Sequence, residues 1–200
     1  MNPTRSLIFV LVIVAVSFGS AVAQVRGRRI PPPREFQVFE PRNQLEDFES
    51  RLETVLIKGH TSVGIFNGRA GGAVRVEALE MREAGDGTRA LGAVITINSG
   101  DATPTEARSL IDYDEIDRLI KGLDTVAKAD DTITKLAQYE AHYRTKVDFE
   151  ITVFKQTTGG VAAAIEAGFP DRTRLLLTLD DLARLRWMIL QAKARLDEIK

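Results

Sequence analysis

The chain has no cysteine, only two histidines and a single tryptophan among its 200 residues. Without cysteine there are no disulfides, so the fold depends on its hydrophobic core alone. Two histidines are too few for the clustered nitrogen and sulfur ligands of a zinc site. Neither a Gly-x-Ser-x-Gly elbow nor a phosphate loop ending in Gly-Lys-Ser/Thr is present. We therefore predict no metal, no cofactor and no catalytic residue.

An excess of one charge is also missing, because the net charge is only −1. Removal of residues 1–23, which contain Arg5 and no acid, leaves 26 basic against 28 acidic side chains. Non-specific binding to phosphate backbones depends on a basic excess. Nucleic acid is therefore not favoured as a partner.

The first 23 residues have the three parts of an export signal. Arg5 supplies the positive end, residues 7–16 form an apolar run, and Ala21-Val22-Ala23 is a small-residue cleavage pattern. A run of about ten residues is well short of the roughly 20 that span a bilayer. We predict cleavage after Ala23 and no integral membrane segment afterwards. Because cysteine and permitted Asn-x-Ser/Thr sites are absent, we expect a bacterial periplasmic or extracellular protein.

The remaining chain divides into a linker and one domain. Residues 24–43 are rich in Arg and Pro, and the triplet at 31–33 favours an extended tether. Residues 44–200 form a single domain of two halves, at about 54–130 and 131–200. Its first element is a short helix with Leu45, Phe48 and Leu52 on the packing side.

Alternating apolar residues predict four strands and then a helix in each half. The first half has strands near 54–66, 73–83, 89–98 and 107–111 and a helix at 113–129. The second has strands near 137–145, 147–155, 161–167 and 173–178 and a helix at 180–198. We place bulges at Gly59 and at the parity change before Leu79. The fold class is α+β: a duplicated ββββα unit of antiparallel sheets, each helix covering its own sheet.

An internal repeat supports this division. A shift of 66 residues aligns "ARSLIDYDEIDRL", Ala107 to Leu119, with "TRLLLTLDDLARL", Thr173 to Leu185. Five pairs are identical, and each copy follows a matching run of strands. We interpret the match as a duplication.

Two resemblances follow from these stretches. "IDYDEIDRLIKGLD" and "LAQYEAHYRTK" resemble a family of small exported bacterial proteins that is itself uncharacterised, and this resemblance implies no activity. The ββββα-ββββα order is similar to that of the Whirly and PUR single-stranded nucleic-acid-binding folds. The second likeness concerns topology alone, and a fold does not fix a function.

The acidic run Asp112, Asp114, Glu115 and Asp117 raises the question of a metal site. A calcium loop needs a glycine for its sharp turn, but that position is Asp117, and the hydrophobic Ile116 interrupts the ligands. Asp112 as a helix cap, completed by Glu115 three residues later, explains the acids instead. We favour this capping interpretation.

The candidate ligand-binding residues are Tyr139, His142, Tyr143 and Arg144, on a predicted strand with both tyrosines on one side. A general-base pair of His142 and Glu140 is awkward, since same-face neighbours on a strand stand about 7 Å apart. We predict a non-enzymatic binding module that uses a sheet face, with an unknown protein or small molecule as partner. The alternatives are a cell-envelope hydrolase using dispersed acids and His142, and, by fold analogy, single-stranded nucleic-acid binding.

Overall fold

The computed structural model describes residues 40–68, 71–100 and 105–200. The predicted export signal and most of the predicted linker lie outside these residues. The elements of the first half are α1 (Gln44–Ser50), β1 (Leu56–Asn67), β2 (Ala73–Glu83), β3 (Arg89–Asn98), β4 (Glu106–Asp112) and α2 (Tyr113–Val126). Those of the second are β5 (Glu140–Arg144), β6 (Glu150–Lys155), β7 (Val161–Ala167), β8 (Thr173–Leu177) and α3 (Leu179–Asp197).

The strands form two antiparallel four-stranded sheets, ordered β1-β2-β3-β4 and β5-β6-β7-β8. A helix follows each sheet, which confirms the predicted α+β class and the repeated ββββα order. Short connections join sequential neighbours, as expected for antiparallel meanders. No helix in the described part of the chain is long and apolar enough to cross a membrane.

Both predicted bulge positions are wrong. Gly59 pairs with Glu80 in unbroken register, and the register of β1 shifts between Ser62 and Gly64 instead. β2 runs beside β3 without any shift. Its parity changes at Leu79 because Leu79 and Met81 pack against α1 on the opposite side of the sheet. A strand that is buried on both faces loses simple alternation.

One large core joins the two halves. It contains buried residues of both sheets and of both long helices. Helix α3 packs mainly on β1, β2 and β3 of the first sheet, and α2 contacts both sheets. The expectation that each helix covers its own sheet is therefore wrong.

The end of β4 anchors α1. The carboxylate of Asp112 accepts hydrogen bonds from the backbone N–H groups of Gln44 (2.9 Å) and Leu45 (3.1 Å). Asp112 thus caps α1, and it makes no side-chain cap bond to α2, contrary to the prediction. Glu115 accepts from the N–H of Lys146 (2.7 Å) rather than completing a capping box.

The helix ends correct two further details. A capping box does form in α3, between Thr178 and Asp181. Helix α1 ends at Ser50, so the predicted packing residue Leu52 lies beyond it and is exposed. Leu52 does not share the packing face of α1, because only residues inside the helix keep the three- and four-residue spacing of one face.

Candidate binding surfaces

Three of the four predicted binding residues lie on β5, and Tyr139 directly precedes it. The hydroxyl of Tyr139 donates to the carbonyl of Ala129 (3.1 Å), and this tyrosine is buried. Tyr143 points to the same side and packs on the core beside Gly122 of α2. His142 and Arg144 alternate to the opposite side, here called the outer face of the second sheet. The structure therefore brings His142 and Arg144 together and separates both tyrosines from them.

A buried carboxylate organises the outer face. Glu150, across the ladder from Arg144, accepts hydrogen bonds from Arg144 (2.7 Å) and Arg172 (3.0 Å), and His142 Nδ1 lies 3.0 Å from it. Burial alone would raise the pKa of Glu150. The hydrogen bonds from Arg144, Arg172 and His142 outweigh burial and lower that pKa to about 2. Glu150 is thus ionised at neutral pH and is a weak base.

His142 is held at both ring nitrogens. Nε2 lies 3.1 Å from a carboxylate oxygen of Glu140, and Nδ1 lies 3.0 Å from the Thr152 hydroxyl as well as from Glu150. The expected separation of His142 from Glu140 is wrong, because the two long side chains lean together above the strand. A general base needs a free nitrogen directed at its substrate. The observed contacts orient the ring among protein side chains instead.

The acidic side chains at the start of α2 contact different partners in the structure. Asp114 pairs with Arg118 (3.5 Å), and Asp117 pairs with Lys193 (3.4 Å). Asp112 and Glu115 bind backbone N–H groups, as described above. Across residues 40–68, 71–100 and 105–200, no three His, Asp or Glu side chains converge on a point where a metal ion would fit. These acidic side chains therefore make contacts within the fold.

A second surface lies where the edge of the first sheet meets α3. β1 pairs only with β2 among the described strands, so its other side is an open edge. Beside it, α3 presents Trp187, whose surface is 57% exposed. Large aromatic residues are usually well buried, so an exposed tryptophan at a concave surface makes this surface a candidate contact site.

Trp187 separates two hollows that together form the β1–α3 groove. One, of about 510 Å³, is lined by Gly64, Ile65, Phe66, Ala183, Arg184, Trp187 and Met188. The other, of about 440 Å³, is lined by Thr61, Ser62, Val63, Trp187, Gln191, Arg195 and Glu198. One wall of each hollow comes from β1 and the other from α3. A larger hollow of about 680 Å³ at the end of β8 is lined without any aromatic side chain.

Sequence reasoning missed this groove. The sequence of α3 has an apolar seam at three- and four-residue steps, formed by Leu182, Leu185, Ile189, Ala192, Leu196 and Ile199. Trp187 lies off that seam, which is the signal that could have singled it out. The second wall was not visible, because nothing local in residues 61–66 indicates that a helix from the other half lies beside them.

No protein family, curated protein or solved structure matches this chain. The resemblances to an exported family and to Whirly and PUR folds therefore stay predictions. The geometry of the two surfaces carries the functional argument.

Proposed function

We propose that the protein is an exported, non-enzymatic interaction domain that binds a partner protein through the β1–α3 groove. The observation that supports this most is Trp187, exposed between two hollows at an open sheet edge. Tryptophan and arginine contribute disproportionately to protein–protein binding energy, and Arg184 lines the same groove. The outer face, by contrast, satisfies its own charges within the Glu150 network.

The export part of the proposal rests on the N-terminal sequence. Arg5, the apolar run at 7–16 and the small residues at 21–23 have the order of a cleavable signal. N-terminal sequencing of the protein recovered from the cell envelope or medium should begin at Gln24. An intact Met1 end would contradict export by this route.

Two competing functions have direct tests. A hydrolase that uses His142 would lose turnover of a cell-envelope substrate in His142→Ala, whereas we expect no turnover to lose. Single-stranded nucleic-acid binding would show affinity that falls steeply with salt. We expect no binding to a single-stranded oligonucleotide even at low salt, because the chain lacks a basic excess.

Site-specific photo-crosslinking in the native cell tests which surface binds. A benzophenone amino acid in place of Gln191, at the groove, should give a partner adduct, and Trp187→Ala should reduce its yield. The matched controls place the same probe at Lys121, exposed on α2, and at His142 on the outer face. Adducts from position 142 and none from position 191 would move the binding site to the outer face and overturn the proposal.

A further inference from the structure

We infer that the partner enters the β1–α3 groove as an extended peptide, adding a strand to the open edge of β1 and placing an apolar side chain beside Trp187 and a carboxylate at Arg184. This inference rests on the proposed function, because it names the occupant of the same groove. Strand addition combines main-chain hydrogen bonds for affinity with side-chain hollows for specificity.

The backbone of β1 is oriented for such an addition. The carbonyl of Val55 accepts from the N–H of Ala84 (3.0 Å), so the backbone of Val55 bonds toward β2. Antiparallel pairing alternates bonded and free residues along a strand. The N–H and C=O groups at positions 56, 58, 60 and 62 therefore face the open edge. These groups can pair with an incoming strand without any rearrangement of the sheet.

The two hollows have the spacing of an extended peptide. Their β1 linings centre on Ser62 and Ile65, and the partners of these residues on β2 are Glu77 and Arg75. The bulge at Val63 thus reduces the separation to two residues of a regular strand, about 7 Å. Alternate side chains of an added strand stand the same distance apart. Two such side chains would enter the hollows on either side of Trp187.

The charge of the groove selects the peptide. Arg184 lines the hollow that contains Ile65, and no carboxylate pairs with it among the residues that the structure describes. Its neighbours on α3 differ: Arg186 binds Asp124 (2.6 Å), and Arg195 binds Glu198 (3.1 Å). A guanidinium with free donors recognises a carboxylate in two-point geometry. We therefore expect an Asp, a Glu or a terminal carboxylate on the peptide.

A second copy of this chain fits the groove less well. β1, LIKGHTSVGIFN, contains no Asp or Glu, so a copy that added its own β1 would bring no carboxylate from that strand to Arg184. Lys58 of that copy pairs with its own Glu49 (2.5 Å), and His60 has no negative charge, so neither residue supplies the missing carboxylate. Peptides from another protein meet the charge requirement, and self-association becomes an outcome of the test.

Selection from a phage-displayed library of random nonapeptides tests the inference. The bait is the full chain without its predicted signal, and the enriched peptides are then synthesised. We expect alternating apolar residues with one acidic residue. Arg184→Glu should weaken binding at least about tenfold. A peptide with Lys in place of its acid should recover affinity for that variant. Arg118→Glu, on an exposed part of α2, is the matched control and should change nothing.

Two variants at His60 test the backbone pairing of an added strand. His60→Pro removes an N–H that faces the open edge, so the sheet loses no ladder bond while an incoming strand is blocked. We expect it to abolish peptide binding, with His60→Ala binding normally. Peptides N-methylated at alternate amides test the same bonds if His60→Pro does not fold, and one of the two methylation registers should lose binding.

Several results would overturn the inference. These are an unenriched library, enriched peptides without acids, and equal binding by wild type and His60→Pro. A dimer in light scattering that His60→Pro converts to monomer would replace the peptide with a second copy. The proposed function is distinguishable from all of these, because a crosslink from position 191 to a folded partner would preserve it while strand addition failed.

Discussion

At the scale of single residues, Glu150 shows how neighbouring side chains stabilise a buried charge. The residue is 7% exposed, and its carboxylate accepts hydrogen bonds from side chains of β5 and of the segment before β8. A buried ion that loses its partners is costly, so the network and the fold depend on each other. The sequence predicted the strand that contains Glu150. It did not predict its register against His142, or the approach of Arg172 from 22 residues away.

The lowered pKa of Glu150 predicts a stability change in acid. The folded pKa of about 2 lies below the ordinary value of 4.5, so the fold favours the ionised form. The resulting stability, about 3 kcal/mol, is fully present well above pH 4.5 and is lost as the pH falls toward 2. Urea unfolding of wild type and Glu150→Gln between pH 2 and pH 7 measures this. Parallel curves for the two proteins would contradict the assignment.

At the scale of elements, α1 is held to the first sheet by side chains from both sides of the contact. Asp112 binds its first N–H groups, and the amide of Asn43 donates to the carbonyl of Leu110 (2.7 Å). Alternation and capping residues predicted most element boundaries to within a few residues. They could not show which helix Asp112 caps, because the bonded N–H groups lie 67 and 68 residues earlier in the chain.

Removal of this cap should destabilise the protein. We expect Asp112→Ala to lower the free energy of unfolding by about 1–2 kcal/mol, since two backbone donors of α1 lose their acceptor. Amide exchange at Leu45 should accelerate with it. Asp114→Ala, whose side chain is 67% exposed, is the control and should change stability by less than about 0.5 kcal/mol. Equal effects at both positions would exclude the capping role.

The contact between α2 and β5 makes a second prediction at this scale. A Cβ on Gly122 would lie 2.3 Å from the ring of Tyr143, which is too close to be accommodated unmoved. Gly122→Ala should therefore cost about 1–3 kcal/mol. In a Tyr143→Ala background the same change should stabilise by up to about 1 kcal/mol, because alanine favours helix. Chemical denaturation of the four proteins measures this, and an unchanged sign would place Tyr143 away from the contact.

At the scale of the whole molecule, the two halves depend on each other. Helix α3 closes the hydrophobic face of the first sheet, and α2 packs on both sheets. Residues 40–130 alone would expose the core face that α3 covers. We expect this half to be unfolded alone, with no cooperative thermal transition, and to gain one when mixed with residues 131–200. A cooperative transition in the isolated half would show that it has a core of its own.

The packing of α3 on the first sheet also explains why the groove could not be predicted from the sequence. Periodicity identified β1 and α3 separately, and it identified the seam that buries Leu185 and Ile189. Long-range packing then places the opposite side of α3, with Trp187 and Gln191, beside an edge strand more than 100 residues earlier. Local sequence patterns do not show which distant strand lies beside a helix. The β1–α3 groove is a product of tertiary structure alone.

Amide hydrogen exchange during peptide addition tests strand addition at the open edge most directly. With a library-selected acidic peptide bound, we expect the amides of Leu56, Lys58, His60 and Ser62 to exchange more slowly. Those of Ile57, Gly59 and Thr61, which face β2, should change little. Protection confined to Glu140–Arg144 and Glu150–Lys155 on the second sheet, or no new protection on β1, would contradict binding through the β1–α3 groove.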